Sequence, residues 1–158
     1  MDSDCLVKLT KSGAKEAIVS AMEVHIPSLV KKETVDVAKE RGYQDAFTIE
    51  ENIDKKVLHV DEPRRKKLTA ISGMKGEDDV VSLYMSGNYD AIASDDQRFL
   101  KRLEASNIPF LTPTACLVFL YANKKFERLA ISELLESLKP LISREEYVVA
   151  KLYMEDKS

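Results

Sequence analysis

Eight carboxylates stand where apolar runs end or helices begin: Asp2, Asp4, Glu33, Glu77, Asp78, Asp79, Asp95 and Asp96. Asp95-Asp96 close the apolar run Ala91-Ile92-Ala93-Ser94, and Glu77-Asp78-Asp79 follow Gly76 at a helix start. Glu33 falls beyond Pro27 on the helical face shared by Leu29, Val30 and Val37, by the three- and four-residue rule. A charge on a buried face costs several kcal/mol unless it is paired or bound to a metal. Carboxylates gathered in one place repel and raise one another's pKa; a divalent cation resolves that repulsion. A site rich in oxygen and lacking Cys or His suits Mg²⁺ or Mn²⁺. Such an ion lowers the pKa of a bound water and neutralises a phosphate oxygen, the chemistry of metal-dependent phosphodiester hydrolysis. Taken singly, Asp4, Asp78, Asp79 and Asp95 are explained as well by helix capping or solvation.

The elements that must position these acids alternate. Cys5-Leu6-Val7-Lys8-Leu9 reads as the end of a short strand turning into a helix, Ala14–Met22 as a helix, and Glu23–Ile26 as a strand ending at Pro27. Ser28 is placed to cap a helix reaching about Arg41, with Gly42 in the position that tolerates left-handed geometry. Asp45–Ile53 reads as a helix, Val57–Val60 as a strand and Asp61-Glu62-Pro63 as a turn. The acids at 77–79 suit the positive end of a helix dipole. Ala91–Ser94 resembles a buried parallel strand, a helix follows over Gln97–Ala105, and Pro109–Leu111 is a last strand. Thr112-Pro113 opens an apolar helix with proline at its first position. Ser143-Arg144-Glu145-Glu146 forms a capping box for the final amphipathic helix. Strands separated by helices imply a parallel α/β sheet, whose ligands sit at the carboxyl ends of the strands.

Four segments carry a pattern in fixed order: Asp2-Ser3-Asp4-Cys5-Leu6-Val7, Pro27-Ser28-Leu29-Val30-Lys31-Lys32-Glu33, Gly76-Glu77-Asp78-Asp79, and Ser94-Asp95-Asp96 with Phe99-Leu100 behind it. In that order they resemble the PIN-domain family of metal-dependent nucleases, which includes the toxin nucleases of prokaryotic toxin–antitoxin pairs. The resemblance implies a three-layer α/β/α fold with a short parallel central sheet, one domain over residues 1–158, with its core at about 1–113 and C-terminal helices at about 114–158. It implies a Mg²⁺- or Mn²⁺-dependent endoribonuclease in which Asp2, Glu33 and Asp96 take the first, second and last acidic positions. The third position stays open: counting back from Ser94 favours Asp78, whereas the Gly-Glu-x-Asp form favours Glu77 or Asp79. The candidate metal set is thus Asp2, Glu33, Glu77, Asp78, Asp79, Asp95 and Asp96, with the hydroxyls of Ser3 and Ser94 beside the metal, its waters or the substrate. Only Met1 precedes Asp2, where the family has a fuller first strand, and Arg98 and Arg102 follow the last motif.

Arg64-Arg65-Lys66-Lys67, with Lys55-Lys56 upstream, is the strongest basic cluster. It reads as sequence-blind phosphate contact or as a solvated helix face; with Arg98, Arg64 and Arg65 are the expected contacts to RNA. Twenty-four Lys and Arg against 27 Asp and Glu give a net charge of −3, so nucleic acid must meet a local patch rather than bulk positive charge. His25 and His59 fit structural roles better than ligand roles. Cys5 and Cys116 lack metal spacing and fit reduced thiols of a cytoplasmic protein. No run approaches the ~18–20 apolar residues of a membrane span. Tyr121, Tyr147 and Tyr153 lie in the 123–158 region or at its edge, where a partner protein or a second copy in a homodimer is expected to bind; an antitoxin protein, for a toxin, is expected to occlude the acidic cleft. Two competing readings are a non-catalytic RNA- or protein-binding module of the same fold and an aspartyl-phosphate-forming phosphatase, the latter lacking a matching Lys near the last strand.

Overall fold

The computed structural model describes residues 1–63 and 75–156. α1 (Ser3–Lys11) and α2 (Ala14–Ala21) are joined through Gly13, whose φ of 74° is a turn geometry that disfavours any side chain. β1 (Val24–Pro27) leads into α3 (Ser28–Lys31), a π-helical stretch over Lys32–Val37, and α4 (Ala38–Glu40). These three run on with helical backbone angles until Gly42, at φ 76°, ends them. Then come α5 (Asp45–Asp54), β2 (Leu58–Asp61), α6 (Lys75–Ser86), β3 (Ile92–Ala93), α7 (Gln97–Ala105) and β4 (Phe110–Leu111). The chain closes with α8 (Pro113–Ala122), α9 (Arg128–Leu138) and α10 (Arg144–Asp156). The basic run Arg64-Arg65-Lys66-Lys67 lies outside the described residues.

All strand pairing among the described residues is parallel. β1 pairs with β2 in the register Val24↔Leu58 to Pro27↔Asp61, and β3 pairs with β4 through Ile92↔Phe110 and Ala93↔Leu111. Met1 and Asp2 join the two pairs: the Met1 amino group donates to the His25 carbonyl at 2.9 Å, and the Asp2 N–H donates to the Ala93 carbonyl at 2.9 Å. The spatial order is therefore β2-β1-(Met1-Asp2)-β3-β4. The α/β class with a short parallel sheet flanked by helices is the observed one. Cys5–Leu9 is wholly inside α1; only Met1-Asp2 is extended. The reason is the Asp2 cap, whose Oδ1 accepts the Cys5 N–H at 2.9 Å and starts the helix one residue on.

Caps settle most of the other boundaries. Thr112 accepts the Ala115 N–H at 3.2 Å ahead of Pro113, and Asp96 caps α7. The Ser143 hydroxyl accepts the Glu146 N–H at 3.1 Å, but Glu146 Oε1 is buried without a partner among the described residues, so the box is half made. Ser28 caps nothing; its hydroxyl donates to Glu62 across the β1–β2 edge. The core runs as one cluster from Cys5 to Met154, with Leu6, Leu9, Ile18, Ile26, Phe99 and Leu117 among its fully buried side chains. None of the described helices is long and apolar enough to cross a membrane.

One polar contact inside this core went unread in the sequence. Lys15 on α2 is 2% exposed, and its ammonium donates to the Thr48 carbonyl at 3.2 Å, to Glu16 at 2.5 Å and to the Asn52 amide oxygen on α5. Truncating it strands the Asn52 and Thr48 acceptors in the interior. Lys15→Ala is expected to lower unfolding free energy by about 1–3 kcal/mol, measured by urea titration, whereas an unchanged midpoint would show the network to be energetically idle.

Candidate functional site

The site starts at the junction of Asp2 with α1. Asp2 is 9% exposed. One oxygen is taken by the Cys5 N–H, and the other accepts the Ser94 hydroxyl proton. Burial pushes the Asp2 carboxyl above its ordinary value, against the lowering pull of the Ser94 and Cys5 hydrogen bonds. Ser94 is fully buried at the end of β3, and its oxygen also accepts the Asp96 N–H at 3.2 Å. A single hydroxyl thus ties the acid at the start of α1 to the acid at the start of α7. At Asp96, Oδ1 caps α7 by accepting the N–H groups of Arg98 and Phe99, both at 2.8 Å.

Glu33 approaches from the other side. Ser3 donates to its Oε2 at 2.5 Å, and a Cβ built at Gly76 would lie 3.9 Å from both of its carboxylate oxygens. The first residue of α1, the first turn of α6 and Glu33 therefore share one location. By helical geometry Asp79, three residues beyond Gly76, lies on the face Gly76 presents to Glu33. Asp78 lies about 160° round from Gly76, so the expected Asp78 is the least suitably aimed of the three candidates.

Several expectations are corrected. Glu33 is exposed rather than on the buried face, because the π-helical stretch Lys32–Val37 adds a residue to the turn and buries Thr34 and Val35 instead. Ser94, expected against metal or substrate, has no exposed surface and works as a bridge between two acids. Asp95, placed in the metal set, forms an ion pair with Lys8 of α1. Glu77 is engaged by Arg102 of α7, whose guanidinium also lies over the Phe99 ring, 5.7 Å from its centroid. Lys8 carried no motif, its only signal being its place in the last turn of a helix whose start was acidic; Arg102, noted behind the last motif, pairs with Glu77. Arg98 is exposed in the first turn of α7, beside Asp96. Arg64 and Arg65 fall outside the described residues.

The histidines have structural partners. Their rings stack with centroids 4.8 Å apart, His25 bonds Asp61 at 2.5 Å and Glu23 at 3.0 Å, and Tyr89 donates to Asp61 at 2.9 Å. Burial and the bond to Asp61 push the Tyr89 hydroxyl up to about 12. Burial likewise raises the Cys5 thiol and pushes Cys116 up to about 12, which leaves both thiols protonated and unreactive.

No group of three or more His, Cys, Asp or Glu side chains closes around a common metal position among the described residues. The donor set nonetheless suits a hard cation: Asp2, Glu33 and Asp96 offer only carboxylate oxygens, joined to one another or to the same helix start by serine hydroxyls. Mg²⁺ keeps several waters and needs only one or two direct carboxylates, so a set that is gathered but not closed fits it.

The raised Asp2 pKa has a consequence for stability. A carboxyl whose folded pKa lies above its unfolded one favours folding below the ordinary aspartate value, and that contribution is lost as pH rises through the folded pKa. At neutral pH ionised Asp2 is therefore a cost to the metal-free protein. Asp2→Asn keeps the cap and removes the charge; it is expected to stabilise the metal-free protein by about 1 kcal/mol at pH 8, with the gain vanishing as pH falls below 4. Thermal melts across that range check it, and a destabilised variant at pH 8 would contradict it.

A protein-family model described as PIN domain matches residues 1–155. No curated protein and no solved structure matches the chain. With the parallel sheet and the acids at its carboxyl ends in place, that match over nearly the whole length makes this chain a member of the PIN-domain family, a nuclease-type fold.

Proposed function

We propose that the chain is a Mg²⁺- or Mn²⁺-dependent endoribonuclease that hydrolyses RNA phosphodiester bonds at the Asp2–Glu33–Asp96 site. The observation that supports this most is the pair of serine links: Ser94 bonds the Asp2 carboxylate and the Asp96 backbone N–H, and Ser3, next to Asp2, bonds the Glu33 carboxylate. Family members are typically divalent-metal dependent. Asp2, Glu33 and Asp96 would hold the ion, with Asp79 as the third acid of the family pattern. When bound, the ion lowers the pKa of a water and offsets charge on the scissile phosphate.

The rest is done by the chain itself. Ser94 keeps the Asp2 carboxylate fixed while its other oxygen serves the α1 cap, so Asp2 is oriented before substrate arrives. Glu33 is exposed and so within reach of an RNA substrate. Arg98 on the exposed first turn of α7 supplies a phosphate contact without base preference, and Arg64 and Arg65 are assigned the same task. Lys8 and Arg102 neutralise Asp95 and Glu77, which limits repulsion around the three working acids. In a toxin-type role an antitoxin protein would cover these carboxylates. Leu129 on α9 and Val149 and Leu152 on α10, 79%, 66% and 58% exposed, support a homodimer through the C-terminal helices.

A second reading, a non-catalytic RNA- or protein-binding module, is favoured by the open arrangement of the carboxylates. Cleavage of a mixed single-stranded and structured RNA separates the two. We expect Mn²⁺-dependent cleavage that EDTA abolishes, falling at least about 100-fold in Asp96→Asn and in Glu33→Gln, as expected when a group acting in the transition state is removed. RNA binding without cleavage at saturating Mn²⁺ would favour the module.

A further inference from the structure

Lys8 stands in the last turn of α1 with an acid of its own helix at pairing distance in sequence. Asp4 precedes it by four residues, acid before base, the arrangement that favours an ion pair along a helix. Among the described residues no Lys8–Asp4 pair forms. The ammonium crosses instead to Asp95, 87 positions along the chain. Asp4 stays exposed, whereas only 9% of the Asp95 side chain meets solvent. A charged hydrogen bond is stronger where water is scarce, and that is the bond the fold keeps.

Asp95 lies between Ser94 and Asp96, so α1 grips one tripeptide at two points. At its start, Asp2 accepts the Ser94 hydroxyl proton. Six residues on, about 9 Å along the helix axis, Lys8 holds Asp95. One hydrogen bond between two elements leaves a pivot, and a second bond a turn and a half away removes it. What the grip fixes is Asp96. Its N–H donates to the Ser94 oxygen at 3.2 Å, and its Oδ1 is taken by the Arg98 and Phe99 N–H groups. With Oδ1 committed to the α7 cap, the direction of the remaining oxygen follows the backbone of residues 94–96.

We propose that Lys8 is a positioning residue of the metal site: its ion pair with Asp95 locks the 94–96 segment against α1 and so holds the Asp96 carboxylate in register with Asp2 for a divalent cation. The assignment rests on the Asp2–Glu33–Asp96 metal reading and adds a residue that touches neither the cation nor RNA. Charge alone predicts the opposite effect. Removing an ammonium bonded to the neighbour of Asp96 leaves more negative charge beside the cation, which tightens binding by Coulomb attraction. Loss of positioning loosens it. The sign of the change tells the two apart.

The test is titration of the protein with Mn²⁺, following the free-ion signal by electron paramagnetic resonance. Lys8→Met is expected to weaken Mn²⁺ binding about tenfold or more, as when an outer partner of a ligand is removed, and Lys8→Arg to retain most of the affinity. Lys8→Met strands the Asp95 charge and lowers the melting temperature. Lys8→Met/Asp95→Asn removes both charges together, so it is expected to recover the melting temperature while Mn²⁺ binding stays weak. In RNA cleavage below Mn²⁺ saturation, Lys8→Met is expected to lower kcat and leave KM for RNA unchanged. Tighter or unchanged Mn²⁺ binding in Lys8→Met overturns the proposal, as does an affinity that recovers with the melting temperature in the double variant. A raised KM with kcat unchanged makes Lys8 a phosphate contact and overturns it too. Unmodified protein that takes up no Mn²⁺ overturns the metal reading and this assignment with it, whereas binding indifferent to Lys8 overturns this assignment alone.

Discussion

The buried carboxylate of Asp2 is the constraint around which the domain is arranged. It starts α1, its backbone joins the two halves of the sheet, and its charge sits where water scarcely reaches. Each of those roles limits the others. A neutral cap would serve the helix as well, and a neutral residue would be easier to bury. An acid stands instead at the point where Ser94 bonds both it and the Asp96 backbone N–H. The neighbouring ion pairs fit the same logic. Lys8 and Arg102 each take one acid out of the cluster, leaving fewer like charges to be held together without a cation.

Much of the architecture was legible in the sequence. The spans of α2, β1, α5 and α7 follow from hydrophobic spacing and from punctuation at Pro27 and Gly42, and the Thr112-Pro113 start of α8 is a local hydrogen-bonding rule made visible. What could not be read was anything that depends on a turn of unusual period. Helical spacing at 3.6 residues put Glu33 against the core; the π-helical stretch shifts the face and turns Glu33 toward Ser3 and Gly76. No propensity rule signals that stretch in advance. π-turns recur at functional sites, and here one leaves Glu33 exposed.

The acids themselves were legible as a group and only partly as individuals. Motif order singled out Asp2, Glu33 and Asp96; Ser94 bonds the Asp2 carboxylate and the Asp96 backbone N–H, and Ser3 bonds Glu33. Asp95 and Glu77 looked equivalent in sequence, yet each has a cationic partner far along the chain, Lys8 and Arg102, that only the tertiary fold brings near. Ser94 shows the converse. Its position in a strand-ending motif suggested contact with metal or substrate, whereas its complete burial makes it the link between acids. The strands' carboxyl ends carry the acids, and an apolar cavity lies toward their amino ends.

The most direct test of the central claim is the position of a bound ion. Crystals equilibrated with Mn²⁺ and measured at the manganese absorption edge would show it by anomalous scattering. The account predicts a peak within ligand or water-bridged distance of the Asp2, Glu33 and Asp96 carboxylates. A peak at Asp95 or Glu77 with those three left bare, or no peak at saturating Mn²⁺, would contradict it.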